Sequence, residues 1–95
     1  MGRSSTPKYV IYLSCISFIN KRKELHRFAW KYKQHGKPTE KNAKRFRDDM
    51  NKSIESGNNT HLNGSHSLYS NAIIKENRFN GVIIAQYTSP MFEVI

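Results

Sequence analysis

The apolar positions of the chain fall into two rhythms. From Lys8 to Ile19 nearly every position is apolar, β-branched or aromatic, which predicts a strand buried on both faces and hence central in a sheet. The polar run Asn20-Lys21-Arg22-Lys23 predicts a turn. After it, His26, Phe28, Trp30 and Tyr32 alternate with Arg27, Ala29, Lys31 and Lys33. That period of two predicts a second strand paired to the first. A helix over Lys23–Gln34 competes, because it would gather Leu25, Phe28, Ala29 and Tyr32 on one stripe. The strict alternation favours the strand.

The rhythm changes after Gly36-Lys37-Pro38. Thr39 suits an N-cap, Pro38 precedes it, and Glu40 suits the positive end of a helix dipole. Ala43, Phe46, Met50 and Ile54 then recur at helical spacing. They predict a helix from about Glu40 to Glu55, with Gly57 just past its C-cap. Gly57–His66, rich in Asn, Gly and Ser, reads as a loop. Leu68–Arg78, around Tyr69, Ala72, Ile73 and Ile74, reads as a third strand. Asn80-Gly81 reads as a two-residue hairpin turn, which asks for positive φ at both positions. Val82–Tyr87 is the fourth strand, and Met91–Ile95 a short last strand or a packed tail. The expected fold is α+β: a small ββαββ domain with an antiparallel sheet of four strands and one helix packed on one face. Residues 1–7 are expected to form a flexible arm, and 8–95 a single basic domain.

Charge sharpens this outline. The chain has 95 residues and a formal net charge of +9, with a composition that is 37% hydrophobic and 24% charged. This is too apolar for a wholly disordered chain. The excess is local. Lys21–Arg47 holds eleven cations against Glu24 and Glu40, a net of +9, whereas residues 51–95 are neutral overall. A segregated charge attracts polyanions, of which nucleic acid is the commonest.

Within that stretch the candidate phosphate-binding residues divide by element. Lys21, Arg22 and Lys23 sit at the expected hairpin tip. Arg27, Lys31 and Lys33 belong to the second strand, and Lys37 to the connection. Lys41 and Arg45 lie on the first half of the helix. In a strand Phe28, Trp30 and Tyr32 point opposite to Arg27, Lys31 and Lys33. The expectation is therefore a core of rings and an exposed stripe of cations, which binds phosphate without reading sequence. Asp48 lies four residues from Lys44 and from Lys52, and Asp49 four from Arg45, so part of the helix charge is expected to be neutralised internally.

Other chemistry has less support. Cys15 is the sole cysteine and falls in a predicted buried strand, so no internal disulfide forms and no cysteine nucleophile is expected. His61, Asn63 and His66 raise a remote alternative, a metal-dependent nuclease. All three fall within six consecutive positions, and no Asp, Glu or Cys near them in sequence completes a ligand set. No metal site or other cofactor is therefore expected. Asp48 and Asp49 are adjacent and diverge on a helix, and the glycines form no phosphate loop. Tyr9–Ile19 loosely mimics a signal sequence, but its Tyr, Ile and Val content suits a buried strand better. Met1–Thr6 fits the short N-myristoylation pattern, which matches easily by accident and stands as a minor alternative. The N-x-S/T triplets at Asn51, Asn58 and Asn63 are read as coincidence. The expectation is a cytoplasmic, non-catalytic protein that binds DNA or RNA through phosphates. The alternative is a module or inhibitor docking its basic face on an acidic protein partner; a membrane role is not expected.

Overall fold

Tyr9–Ile16 forms strand β1 and Lys23–Trp30 forms β2 in the computed structural model, which describes residues 7–56 and 66–89. Phe18–Lys21 makes the turn between them. The Ser17 N–H donates to the Arg22 carbonyl and the Lys21 N–H to the Ser17 carbonyl, both at 2.9 Å. The Ser17 hydroxyl accepts from the N–H groups of Ile19 and Asn20. Lys21 takes a left-handed φ of 61° to close the turn. This turn sets the register, so Cys15 faces Glu24 and Leu13 faces His26.

β2 ends at Trp30, and the alternation that continues to Tyr32 in sequence does not continue as strand. The indole Nε1 donates to the Gly36 carbonyl at 2.9 Å, and the Lys31 N–H donates to Nδ1 of His35. Both bonds fold the chain back into a one-turn helix, α1 (Tyr32–His35). Gly36 closes it with a φ of 81°, a conformation that glycine adopts without strain. Tyr32 is exposed rather than core.

The main helix, α2, spans Glu40–Glu55, with the Thr39 hydroxyl accepting from the Asn42 N–H at 3.2 Å. Ala43 and Ile54 are buried, and Phe46 and Met50 pack beside them. The stripe read from sequence is the face that meets the sheet. Gly57 and the rest of the following loop up to residue 65 lie outside the described residues, as do residues 1–6 and 90–95 with the expected last strand or tail.

The third strand, β3, begins at Ala72 and ends at Glu76, later than the sequence suggests. Residues 66–71 pair irregularly with β1: Ser67 N–H donates to the Ile16 carbonyl and Ser70 N–H to the Ser14 carbonyl. Asn51 holds both backbone polar groups of Tyr69, so the ring enters the core. That bidentate tie also gives Asn51 a structural role. β4 spans Ile83–Tyr87. The expected two-residue turn is a longer loop, with the Glu76 N–H donating to the Val82 carbonyl. Asn80 has positive φ but Gly81 does not. Gly81 is needed for another reason: a Cβ there would stand 2.2 Å from the Glu76 carbonyl oxygen.

The sheet order is β2-β1-β3-β4, antiparallel throughout, so β1 is central and β2 is an edge. Ile11, Leu13, Cys15, Trp30, Ala72 and Ile74 form the covered face against α2. The larger aliphatic ones, Ile11, Leu13 and Ile74, each contribute about 1.5–3 kcal/mol by leaving water. Among the described residues, the other face bears no helix. Among the described residues, no helix is long and apolar enough to cross a membrane.

Candidate functional site

All nine candidate cations are exposed. Among the described residues none of them forms an ion pair. The pairs present are Lys44 and Arg47 with Asp48, Arg78 with Glu76, and His26 with Glu24. Of the helix pairs expected from spacing, Lys44–Asp48 forms. Arg47 takes the place of Lys52, and Asp49 does not pair with Arg45. Burial works against the Asp48 carboxylate, but hydrogen bonds from Lys44 and Arg47 outweigh it and hold the group below its usual range.

The nine do not form one stripe. Lys21, Arg22 and Lys23 lie at one end of edge strand β2, and Arg27 lies midway on the open face. Lys31, Lys33 and Lys37 lie at the other end, on and after the α1 turn, where Arg45 lines a small depression with Gln34 and His35. At about 3.3 Å per residue the two ends are ~23 Å apart. The cations therefore follow an edge of the molecule with a pole at each end.

Sequence reasoning missed a groove on the open face. Arg27 donates to Oδ1 of Asn77 at 2.7 Å, reaching across β1 to the β3–β4 loop. Together with Tyr12, Lys75 and Arg78 it lines a groove of about 450 Å³. The Lys75 ammonium lies 5.7 Å from the centre of the Tyr12 ring. Overall neutrality of residues 51–95 concealed Lys75. Its outward position follows only from its pairing opposite Val10.

A second constellation is polar and half-enclosed. On the helix side of the β1–β2 hairpin, His26 Nδ1 lies 2.8 Å from the Tyr69 hydroxyl. Its Nε2 lies 3.0 Å from Glu24 Oε1 and 3.6 Å from Cys15 Sγ. The network is satisfied when Tyr69 donates to Nδ1 and Nε2–H donates to Glu24. His66 packs edge-on against His26, with ring centres 4.8 Å apart. Its Nδ1–H donates to the Ser67 carbonyl at 2.7 Å. That leaves Nε2 as a bare acceptor, buried, with no hydrogen-bond partner among the described residues. His61 and Asn63 lie outside the described residues. His66, which had no acidic or thiol neighbour in sequence, packs on His26, whose own partners are Glu24 and Cys15.

This cluster is not a primed nucleophile. Burial pushes the Cys15 thiol up to about 11, and the Glu24 carboxylate adds to the effect. A thiol so raised stays protonated at neutral pH. Burial likewise raises the Tyr69 phenol, with Cys15 and Glu24 adding to it. Comparison of the chain with known protein families, with curated proteins and with solved structures finds no match in any of the three.

Proposed function

We propose that this protein binds nucleic acid through phosphate contacts, without catalysis. The observation that carries the reading is the row of exposed cations along β2 and at both its ends, none of them in an ion pair among the described residues. Lys21, Arg22, Lys23, Arg27, Lys31, Lys33 and Lys37 follow the edge, and Lys41 and Arg45 extend it onto α2. One strand of duplex DNA carries a phosphate about every 3.4 Å along the axis, so a ~23 Å edge matches roughly seven of them. Phe28 and Trp30 belong to the core side, which leaves Tyr12 and the exposed Phe79 as the aromatics lining the groove with the cations. The binding is therefore electrostatic and tolerant of sequence.

Gel shifts with single- and double-stranded DNA and RNA at rising salt test this. Affinity should fall linearly in the logarithm of salt, with a slope near −0.7 to −0.9 per phosphate contact. No binding to any of the four at low salt sinks the reading.

A second reading, docking on an acidic protein, draws on the open face. Leu25 and Ile83 are exposed there, around Tyr12 and Ile73, with Arg27 and Lys75 nearby. An interface of that kind buries apolar surface and is much less salt-sensitive. A shallow salt slope combined with loss of binding in Leu25→Asp favours it.

A further inference from the structure

We propose that Cys15, Glu24 and His26 form a binding site for a divalent transition-metal ion of the zinc class. The site is independent of the nucleic-acid reading, since none of its residues belongs to the basic edge cations or to the groove.

The first argument is geometric. Cys15, Glu24 and His26 each offer one ligand atom, and these atoms all lie within 4.8 Å of one another. Zinc binds thiolate at ~2.3 Å and imidazole at ~2.0–2.1 Å, so a tetrahedral ion requires sulfur and nitrogen about 3.6 Å apart. The Cys15 Sγ to His26 Nε2 distance is 3.6 Å. The matching nitrogen–oxygen edge is about 3.3 Å by the same geometry, and the observed separation is 3.0 Å. The backbone already holds this triangle. Glu24 and His26 are two apart on one face of β2, and Cys15 is fixed opposite Glu24 by the hairpin register.

The second argument comes from His66, which is 4% exposed. Its Nδ1–H is used on a backbone carbonyl, and its ring packs edge-on against His26 with centres 4.8 Å apart. Its buried Nε2 has no partner among the described residues, and a buried acceptor in that state is costly. A water held in the fourth position of an ion beside His26 would supply the donor it lacks.

The donor set selects the ion. One thiolate and one imidazole beside a carboxylate favour zinc, cobalt and their neighbours over magnesium or calcium, which prefer all-oxygen shells. Binding displaces the thiol proton of Cys15 to solvent and shifts the His26 proton from Nε2 to Nδ1. Nδ1–H then donates to the Tyr69 oxygen, an outer partner that orients the ring. Glu24 is partly exposed, which supplies the route of entry.

The test uses the full chain, thiol-reduced and freed of metal with a chelator, titrated with Co(II) and then with Zn(II) in competition. The expected result is one ion per chain. Cobalt should give a thiolate charge-transfer band and intense visible bands of tetrahedral type, and zinc should abolish both. Cys15→Ser should lose the charge-transfer band. Glu24→Gln, on the exposed edge and isosteric, should keep the fold by circular dichroism and weaken binding by at least ~10-fold. His26→Gln should weaken binding and alter the visible bands. Absence of stoichiometric cobalt binding by the folded wild type overturns the proposal. So does a charge-transfer band that survives in Cys15→Ser, or binding unchanged in both Glu24→Gln and His26→Gln.

Discussion

On the covered face of the sheet, Ile11, Leu13, Phe28 and Ile74 meet Ala43, Phe46 and Ile54 of α2. One position along each strand, Tyr12, Arg27 and Lys75 meet solvent and line a groove. The same three strands thus serve two kinds of physics, separated only by the alternation of side chains. The covered face gains from excluding water and has one tight arrangement. On the open face Arg27 and Lys75 are in no ion pair among the described residues, and their substitution removes little buried apolar surface. Stability and binding should therefore respond to different mutations, and each prediction below tests whether that separation holds.

The largest effect should come from Ile74→Ala. Ile74 is fully buried, and truncating it should cost about 2–5 kcal/mol in urea unfolding. For a domain whose total stability is on the order of 5–15 kcal/mol, that is severe. A cost below that of an exposed-face truncation would break the comparison. Next is the combined variant Lys23→Gln, Arg27→Gln, Lys31→Gln. It should leave the urea midpoint nearly unchanged and make the salt dependence of nucleic-acid binding shallower by about 2–3 units of slope. Equal slopes in variant and wild type would remove these residues from the contact surface. Thr39→Ala removes the hydroxyl that caps α2 and should cost ~1 kcal/mol of stability without altering the salt slope.

A smaller effect is expected from pH. Burial and the Lys31 charge hold His35 below the usual histidine range, while Asp49 pulls the other way. The unfolded chain then takes up the proton more readily than the folded one. The contribution of His35 to stability is complete above the unfolded value of about 6.5 and is lost as pH falls from there through the folded value. Urea midpoints measured from about pH 7.5 to pH 5 should decline, and His35→Gln should flatten that part of the decline. An equal decline in the variant would assign it to other groups. Leu25→Ala marks the bottom of the scale. Leu25 is 55% exposed, and its loss should change stability by no more than ~0.5 kcal/mol.

How much of this was legible in the sequence differs by element. α2 was readable at both ends, because Thr39, Glu40 and a four-residue apolar stripe are local signals for one structure. The central place of β1 was readable because residues on both its faces are apolar. The end of β2 was not. Alternation through Tyr32 is compatible with a longer strand, and the bonds that stop it, Trp30 to Gly36 and Lys31 to His35, depend on side chains folding back. The late start of β3 depends on Asn51 capturing Tyr69 from another element. For the basic surface, the identity and exposure of the nine residues could be read, but their division into two poles and a midpoint could not. The polar cluster was hidden for a related reason. Glu24 and His26 at a spacing of two on a strand are a signal, but Cys15 joins them only through the register set by Phe18–Lys21. His66 arrives from forty residues further on.

The position of β2 at the sheet edge has a consequence for how molecules of this protein behave together. An edge strand presents unpaired backbone donors and acceptors that a second copy can zip onto. Here that edge carries Lys23 and Arg27, with Lys21 and Arg22 just beyond one end and Lys31 beyond the other. Two such edges repel in antiparallel approach, so the same cations act as a guard against aggregation. Salt or a bound polyanion would lift that guard. Solubility should fall where the edge charge is neutralised, and variants made to abolish binding should be the first to precipitate.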